Sequence, residues 1–144
     1  MIQKGFTLFE VLLVLAILSL LATIAYPNYR ETIVRARRSD GQTALLELAN
    51  RLEYYYSEQH SYQGATLGHS GPKDVLNSTY SLQSWYRLNI AIQTDTNFSI
   101  QAIPRKAQAS QDLLCQTLTF NSEGVKGIIA GPRGSPTGTI AQCW

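Results

Sequence analysis

At 144 residues the chain has room for one small domain plus an anchoring or targeting segment. Lys and Arg number 12 against 10 Asp and Glu, for a net charge of +2, and charged residues make up only 15% of the chain. That balance is too mild to demand a nucleic acid or an acidic partner on composition alone.

The first element is apolar. From Phe6 to Tyr26 the only charged side chain is Glu10. As a helix this segment is about 30 Å long, the thickness of a bilayer's hydrocarbon core. A secretory signal would need a basic stretch, a shorter apolar run and small residues before a cut; Lys4 alone is basic, and Thr23 and Ala25 are the only such pair. A generic anchor leaves Gly5 and Glu10 unexplained. A carboxylate in lipid costs about 2.5–3.5 kcal/mol on insertion scales, so Glu10 needs a partner or a place among the headgroups, where it would cap the positive helix end.

Gly5-Phe6-Thr7-Leu8-Phe9-Glu10 followed by the long apolar run resembles the class III signal of type IV prepilins and pseudopilins. Phe9 stands where an aliphatic is usual, and Ser19 where a glycine is frequent. The resemblance implies a leader, 1–5, removed after Gly5 by prepilin peptidase, and N-methylation of the new first residue, Phe6. It implies that Glu10 pairs with the terminal amine of a neighbouring subunit and so registers the filament. Residues 6–27 would be the transmembrane and filament-core helix. Implied partners are other pilin subunits, the peptidase, the inner-membrane assembly machinery and, before assembly, membrane lipid. The implied location is the bacterial inner membrane, single-pass with the domain in the periplasm, then the extracellular pilus.

Beyond Pro27, where a kink is expected because proline lacks its N–H, the helical signal continues through 28–59. Ile33, Leu45, Leu48, Leu52, Tyr55 and Tyr56 mark one stripe. Arg35, Arg38, Asp40, Glu47, Arg51 and Glu58 are placed mostly off that stripe, and Gly41 is a weak point. Tyr54, Tyr55, Tyr56 and Tyr62 read as core plus a partly wet edge. Arg30, Arg35, Arg37 and Arg38 read as a solvated face or as lipid-headgroup contacts. The positive-inside rule would put these arginines in the cytoplasm, against the orientation that the resemblance implies.

Residues 60–144 form the globular part. His60 to Ser84 is rich in Gly, Ser, Asn and Thr and reads as a connecting loop. Tyr86, Leu88, Ile90 and Ile92 then alternate with polar or small neighbours, as do Phe98, Ile100 and Ala102, and Leu114, Gln116, Leu118 and Phe120. A short run from Val125 to Ile129 follows the turn Asn121–Gly124. The expected fold is α+β: a long N-terminal helix on an antiparallel meander of about four strands. The even cysteine count points to a bridge between Cys115 and Cys143 in an oxidising compartment, with two free buried thiols as the alternative. Tyr54-Tyr55, Phe98–Pro104, Asp112, Leu118, Gly124 and Cys143-Trp144 look like PilE-type minor pilins, whose C-terminal disulfide-bounded loop serves as a contact surface.

No catalytic chemistry is legible. His60 and His69 have no companions at zinc spacing, Ser135 lies in Gly-Ser-Pro rather than in a nucleophile elbow, and no phosphate-binding loop is present, so neither enzyme, metal nor cofactor is expected. The first functional expectation is a structural subunit of a type IV pilus, as a minor pilin, serving adhesion, twitching motility or DNA uptake. The second is a DNA-capturing minor pilin, with Arg87, Arg105, Lys106, Lys126 and Arg133 as phosphate contacts. The third is a type II secretion pseudopilin, against which the cysteine pair counts.

Overall fold

Leu8 to Gln59 form one helix, α1, continuous in backbone assignment through Pro27. In this computed structural model residues 5–68 and 71–144 are described, so Met1–Lys4 of the expected leader and His69 lie outside the described residues. The chain divides into two units after Ile33, each described by itself.

In the first unit α1 opens with a capping box. The Thr7 backbone N–H and hydroxyl both donate to Glu10 Oε2 at 2.8 Å, and the Glu10 N–H donates to Thr7 Oγ1 at 3.3 Å. Thr7 satisfies a helix-start N–H and Glu10 finds donors within its own chain. The apolar side chains that follow, among them Leu12, Leu15, Leu18 and Leu21, are exposed all round the helix. The helix is long and apolar enough to cross a membrane.

The second unit is built on the rest of α1. Ala44, Leu45, Leu48, Ala49, Leu52 and Tyr55 fall at helical spacing and are buried. They join Tyr86, Leu88, Phe98, Ile100, Ala102 and Leu118 of the sheet in one core. Leu45, Leu48 and Leu52 are fully enclosed, each worth about 1.5–3 kcal/mol of transfer free energy. Ile33 stays only half-buried at the end of the stripe.

The sheet comprises β3 (Tyr86–Gln93), β4 (Phe98–Pro104), β5 (Thr117–Asn121) and β6 (Lys126–Ile129), in spatial order β3-β4-β5-β6, all antiparallel. The four-strand expectation holds, with three differences of detail. Ile92 does not follow Ile90 inward: a bulge between them pairs Ile92 with Ser99 and turns it outward, 56% exposed. Leu114 is not in a strand; Asp112 accepts the Cys115 N–H and folds 112–116 into turns, so the third strand begins only at Thr117 and Leu114 is 38% exposed. Between β4 and β5 lies a short helix, α2 (Lys106–Gln111), which the strand pattern did not show.

The connecting segment holds two tiny parallel strands, β1 (Thr66–Leu67) and β2 (Asp74–Leu76). The end of the chain carries one turn of helix, α3 (Ile140–Cys143), with its own Thr139–Gln142 capping box. Cys115 and Cys143 are joined by a disulfide, both buried.

Gly41 is a packing position rather than a weak point. The Tyr86 ring lies so close to the helix there that a Cβ would stand 2.8 Å from it. Arg38, expected on a solvated face, is buried. Its Nε and Nη2 donate to the Asp112 carboxylate at 2.9 and 2.7 Å, and its Nη1 donates to the Gln142 carbonyl at 3.2 Å. Gln42 Nε2 donates to the Cys143 carbonyl at 2.8 Å. Two α1 side chains thereby tie down the disulfide-bounded loop.

Candidate functional site

The second unit gathers cations around two aromatic rings at one end of the β3–β4 pair. Tyr86 pairs with Pro104, and the Arg105 N–H extends the ladder by donating to the Trp85 carbonyl at 2.8 Å. Lys106 then adopts φ 52° and turns the chain into α2. On the other strand Ser84 adopts φ 59° immediately before Trp85. A non-glycine residue in this left-handed region costs roughly 1–2 kcal/mol, so the two bends need support from their surroundings.

Asp40 of α1 supplies part of it. It accepts the Ser81 hydroxyl at 2.5 Å and the Gln83 N–H at 3.1 Å, while Ser81 Oγ accepts the Tyr86 N–H at 3.0 Å. Below, the Tyr86 hydroxyl and the Asp112 carboxylate both accept from Gln108 Nε2, at 3.0 and 2.9 Å. Burial, and then the Asp112 charge, push the Tyr86 phenol well above its ordinary value, so it remains neutral.

On this base the Arg37 guanidinium lies 3.9 Å from the Trp85 ring centroid, and Lys106 Nζ lies 5.6 Å from it. Arg37 Nη1 also donates to Gln111 Oε1 at 2.8 Å. Arg105 stacks over Tyr80 at 4.1 Å, and Tyr80 forms a backbone bridge with Arg87. Tyr80 is 40% exposed, and Arg87 and Lys106 are exposed. Of the five basic residues singled out in the sequence, Arg105 and Lys106 therefore lie on these rings, and Arg87 stands beside Tyr80 in the backbone.

Lys126 and Arg133 do not join them. Lys126 opens β6, at the opposite edge of the sheet, with its ammonium 5.1 Å from the Trp144 ring. Arg133 sits in the 131–134 turn, its N–H donating to Gln116 Oε1. Arg37, Trp85 and Tyr80 were missed as site residues. The two rings stood near Arg87 in the sequence, with Tyr80, Trp85 and Tyr86 leading up to it, but Arg37 is far away in the chain. In the first unit Gly5 and Phe6 are exposed and precede α1, and Glu10 lies in its first turn.

Among the described residues no group of three or more His, Cys, Asp or Glu side chains is placed to hold a metal. The cluster offers guanidinium and ammonium donors beside aromatic faces, a surface suited to phosphate groups and to flat rings.

A family model described as type IV minor pilin ComP, DNA uptake sequence receptor, matches residues 27–119. A second, the prokaryotic N-terminal methylation motif, matches residues 1–26. The type IV major pilin protein PilA of Myxococcus xanthus is 37% identical over 60 residues, 42% of this chain and 27% of that protein. Type II secretion system core protein G of Escherichia coli is 30% identical over 66 residues, 46% of each chain. The first curated relatives are matched over only 27–38% of their own length. In fold, the non-core minor pilin PilV of Neisseria meningitidis superposes with a TM-score of 0.51 at 18% identity, covering 74% of this chain and 97% of that one. With more than half of its length matched by the one family model and its apolar start by the other, the chain belongs to the ComP family of type IV minor pilins, structural subunits of the pilus.

Proposed function

We propose that this pilin subunit captures DNA for uptake, using the surface formed by Arg37, Arg87, Arg105 and Lys106 with Trp85 and Tyr80. The observation that carries this reading is the convergence of three cations on two aromatic rings, with Arg87 beside Tyr80 in the backbone, within the stretch matched by the DNA-uptake family. Lys126 and Arg133 are left out of the surface because they lie elsewhere.

The test is binding of a labelled DNA duplex by the full chain in detergent. Four phosphate contacts give a log–log salt slope of about −3.6, so affinity should fall roughly a hundredfold or more between 50 and 200 mM salt. Arg105→Gln with Lys106→Gln should flatten that slope by nearly 2. Lys126→Gln with Arg133→Gln should leave it unchanged. A wild-type chain that retains no duplex at 50 mM salt refutes the reading.

The same proposal covers the start of the chain. Prepilin peptidase removes residues 1–5 after Gly5, Phe6 is N-methylated, and the assembly machinery draws the subunit from the inner membrane. The domain then faces the periplasm, in keeping with the Cys115–Cys143 disulfide. Glu10, held by Thr7 in the isolated chain, exchanges that cap for the Phe6 amine of a neighbour on assembly. The mass of protein from sheared filaments should lack the leader and carry one added methyl, and Glu10→Ala should reduce filament incorporation. An unprocessed start, or unaltered incorporation, would reject this part.

A further inference from the structure

We propose that Trp85 is a positioning residue for DNA capture: its indole holds Arg37 and Lys106 extended and ready for phosphate, as Tyr80 holds Arg105. The inference rests on the DNA-binding reading above and adds to it the part played by the rings.

The physical argument starts from entropy. Free Arg and Lys side chains occupy many rotamers and lose them when they grip a phosphate. A cation already lying on an aromatic face has surrendered much of that freedom while keeping its outer N–H groups free to donate. The Arg37 guanidinium at 3.9 Å from the Trp85 ring is in stacking contact, and its end is fixed again by Gln111. Arg105, at 4.1 Å from Tyr80, is in the same stacking contact.

The second argument is the backbone. Ser84 and Lys106 both sit at positive φ, one directly before Trp85 and one directly after Arg105. No glycine stands at either position to relieve the strain. Asp40, Ser81 and the Arg105–Trp85 backbone bond hold these bends in place. The result of the two bends is that Trp85 and Lys106 meet Arg37, which comes from a distant part of the chain. The contrast is Trp144, also beside a lysine. There the indole N–H donates to the Gly127 carbonyl at 3.0 Å and the ring tilts against Phe120, so its place is accounted for by closing the sheet.

The experiment is a double-mutant cycle on the full chain in detergent, read as duplex affinity at fixed salt. Trp85→Leu should weaken binding about tenfold, from two lost cation–aromatic contacts. Trp85→Phe should restore most of the loss. In a background carrying Arg37→Gln and Lys106→Gln, the added Trp85→Leu should cost less than about twofold, because no cation is left to position. An equal cost in both backgrounds overturns the proposal, and a larger cost for single strands than for duplex in the charge-stripped background assigns Trp85 to base stacking and also overturns it. Should Trp85→Leu fail to fold, Arg37→Lys keeps the charge while losing the flat stacked face. A threefold or greater loss supports positioning; wild-type affinity overturns it. Absence of binding by the wild type itself is a separate result that removes the DNA reading and the proposal with it.

Discussion

Replacing Asp112 by alanine should be among the most damaging single changes in the globular unit. The carboxylate is fully buried and accepts from Arg38 Nε and Nη2, Gln108 Nε2 and the Cys115 N–H. Removal leaves the Arg38 guanidinium enclosed, with the Gln142 carbonyl at 3.2 Å as its remaining acceptor. Breaking a buried pair by removing one member costs about 3–5 kcal/mol, against a total stability of about 5–15 kcal/mol for a domain. With a urea m-value of about 1.5 kcal/mol/M, the unfolding midpoint should fall by roughly 2–3 M. Urea unfolding of the full chain in detergent, followed by the emission of Trp85 and Trp144, reads this directly. The double replacement Arg38→Met with Asp112→Leu should recover most of the loss, because the stranded charge is gone. A single-variant loss below about 1 kcal/mol would show that solvent reaches the pair and would refute the reasoning.

Two further predictions concern the same core. Gly41→Ala should destabilise the domain by about 1–3 kcal/mol, although alanine is the better helix former, because the enclosed Tyr86 ring has nowhere to move; a gain in the same urea midpoint would refute this. Stability should be level between pH 7 and 9 and should fall above pH 10: burial, and then the hydrogen bond to Glu53, push the Tyr62 phenol up to about 12, so the folded state keeps a proton that the unfolded chain gives up near 10. The raised folded value means that this contribution is complete below pH 10 and lost above 12. Tyr62→Phe should remove part of the alkaline loss, and an unchanged profile would assign it elsewhere.

Much of this architecture was legible. The stripe of Leu45, Leu48 and Leu52 marked the buried face of α1, and strand alternation marked β3 and β4 because period two survives wherever one face is covered. What escaped depended on partners distant in sequence. A helical wheel puts Arg38 outside because charges are normally solvated; only Asp112, 74 residues later, makes burial affordable. The inward place expected for Ile92 was defeated by a bulge, which alternation cannot see. β1, β2 and α2 are too short to carry a period. At the site, Arg87, Arg105 and Lys106 were found by charge alone, while Arg37 and the two rings needed the fold to bring them together.

Both borders of the sheet are partly occupied. Along β3 the bulge breaks the row of hydrogen-bonding groups, and residues 79–81 already occupy part of it, with the Leu88 N–H given to Thr79 and the Ser81 N–H to Tyr86. Along β6, only four residues long, the Trp144 indole takes the Gly127 carbonyl. Neighbouring copies of the domain thus find little template for adding strands edge to edge. The apolar surface left open is instead that of the first half of α1, where Leu12, Leu15, Leu18 and Leu21 are exposed.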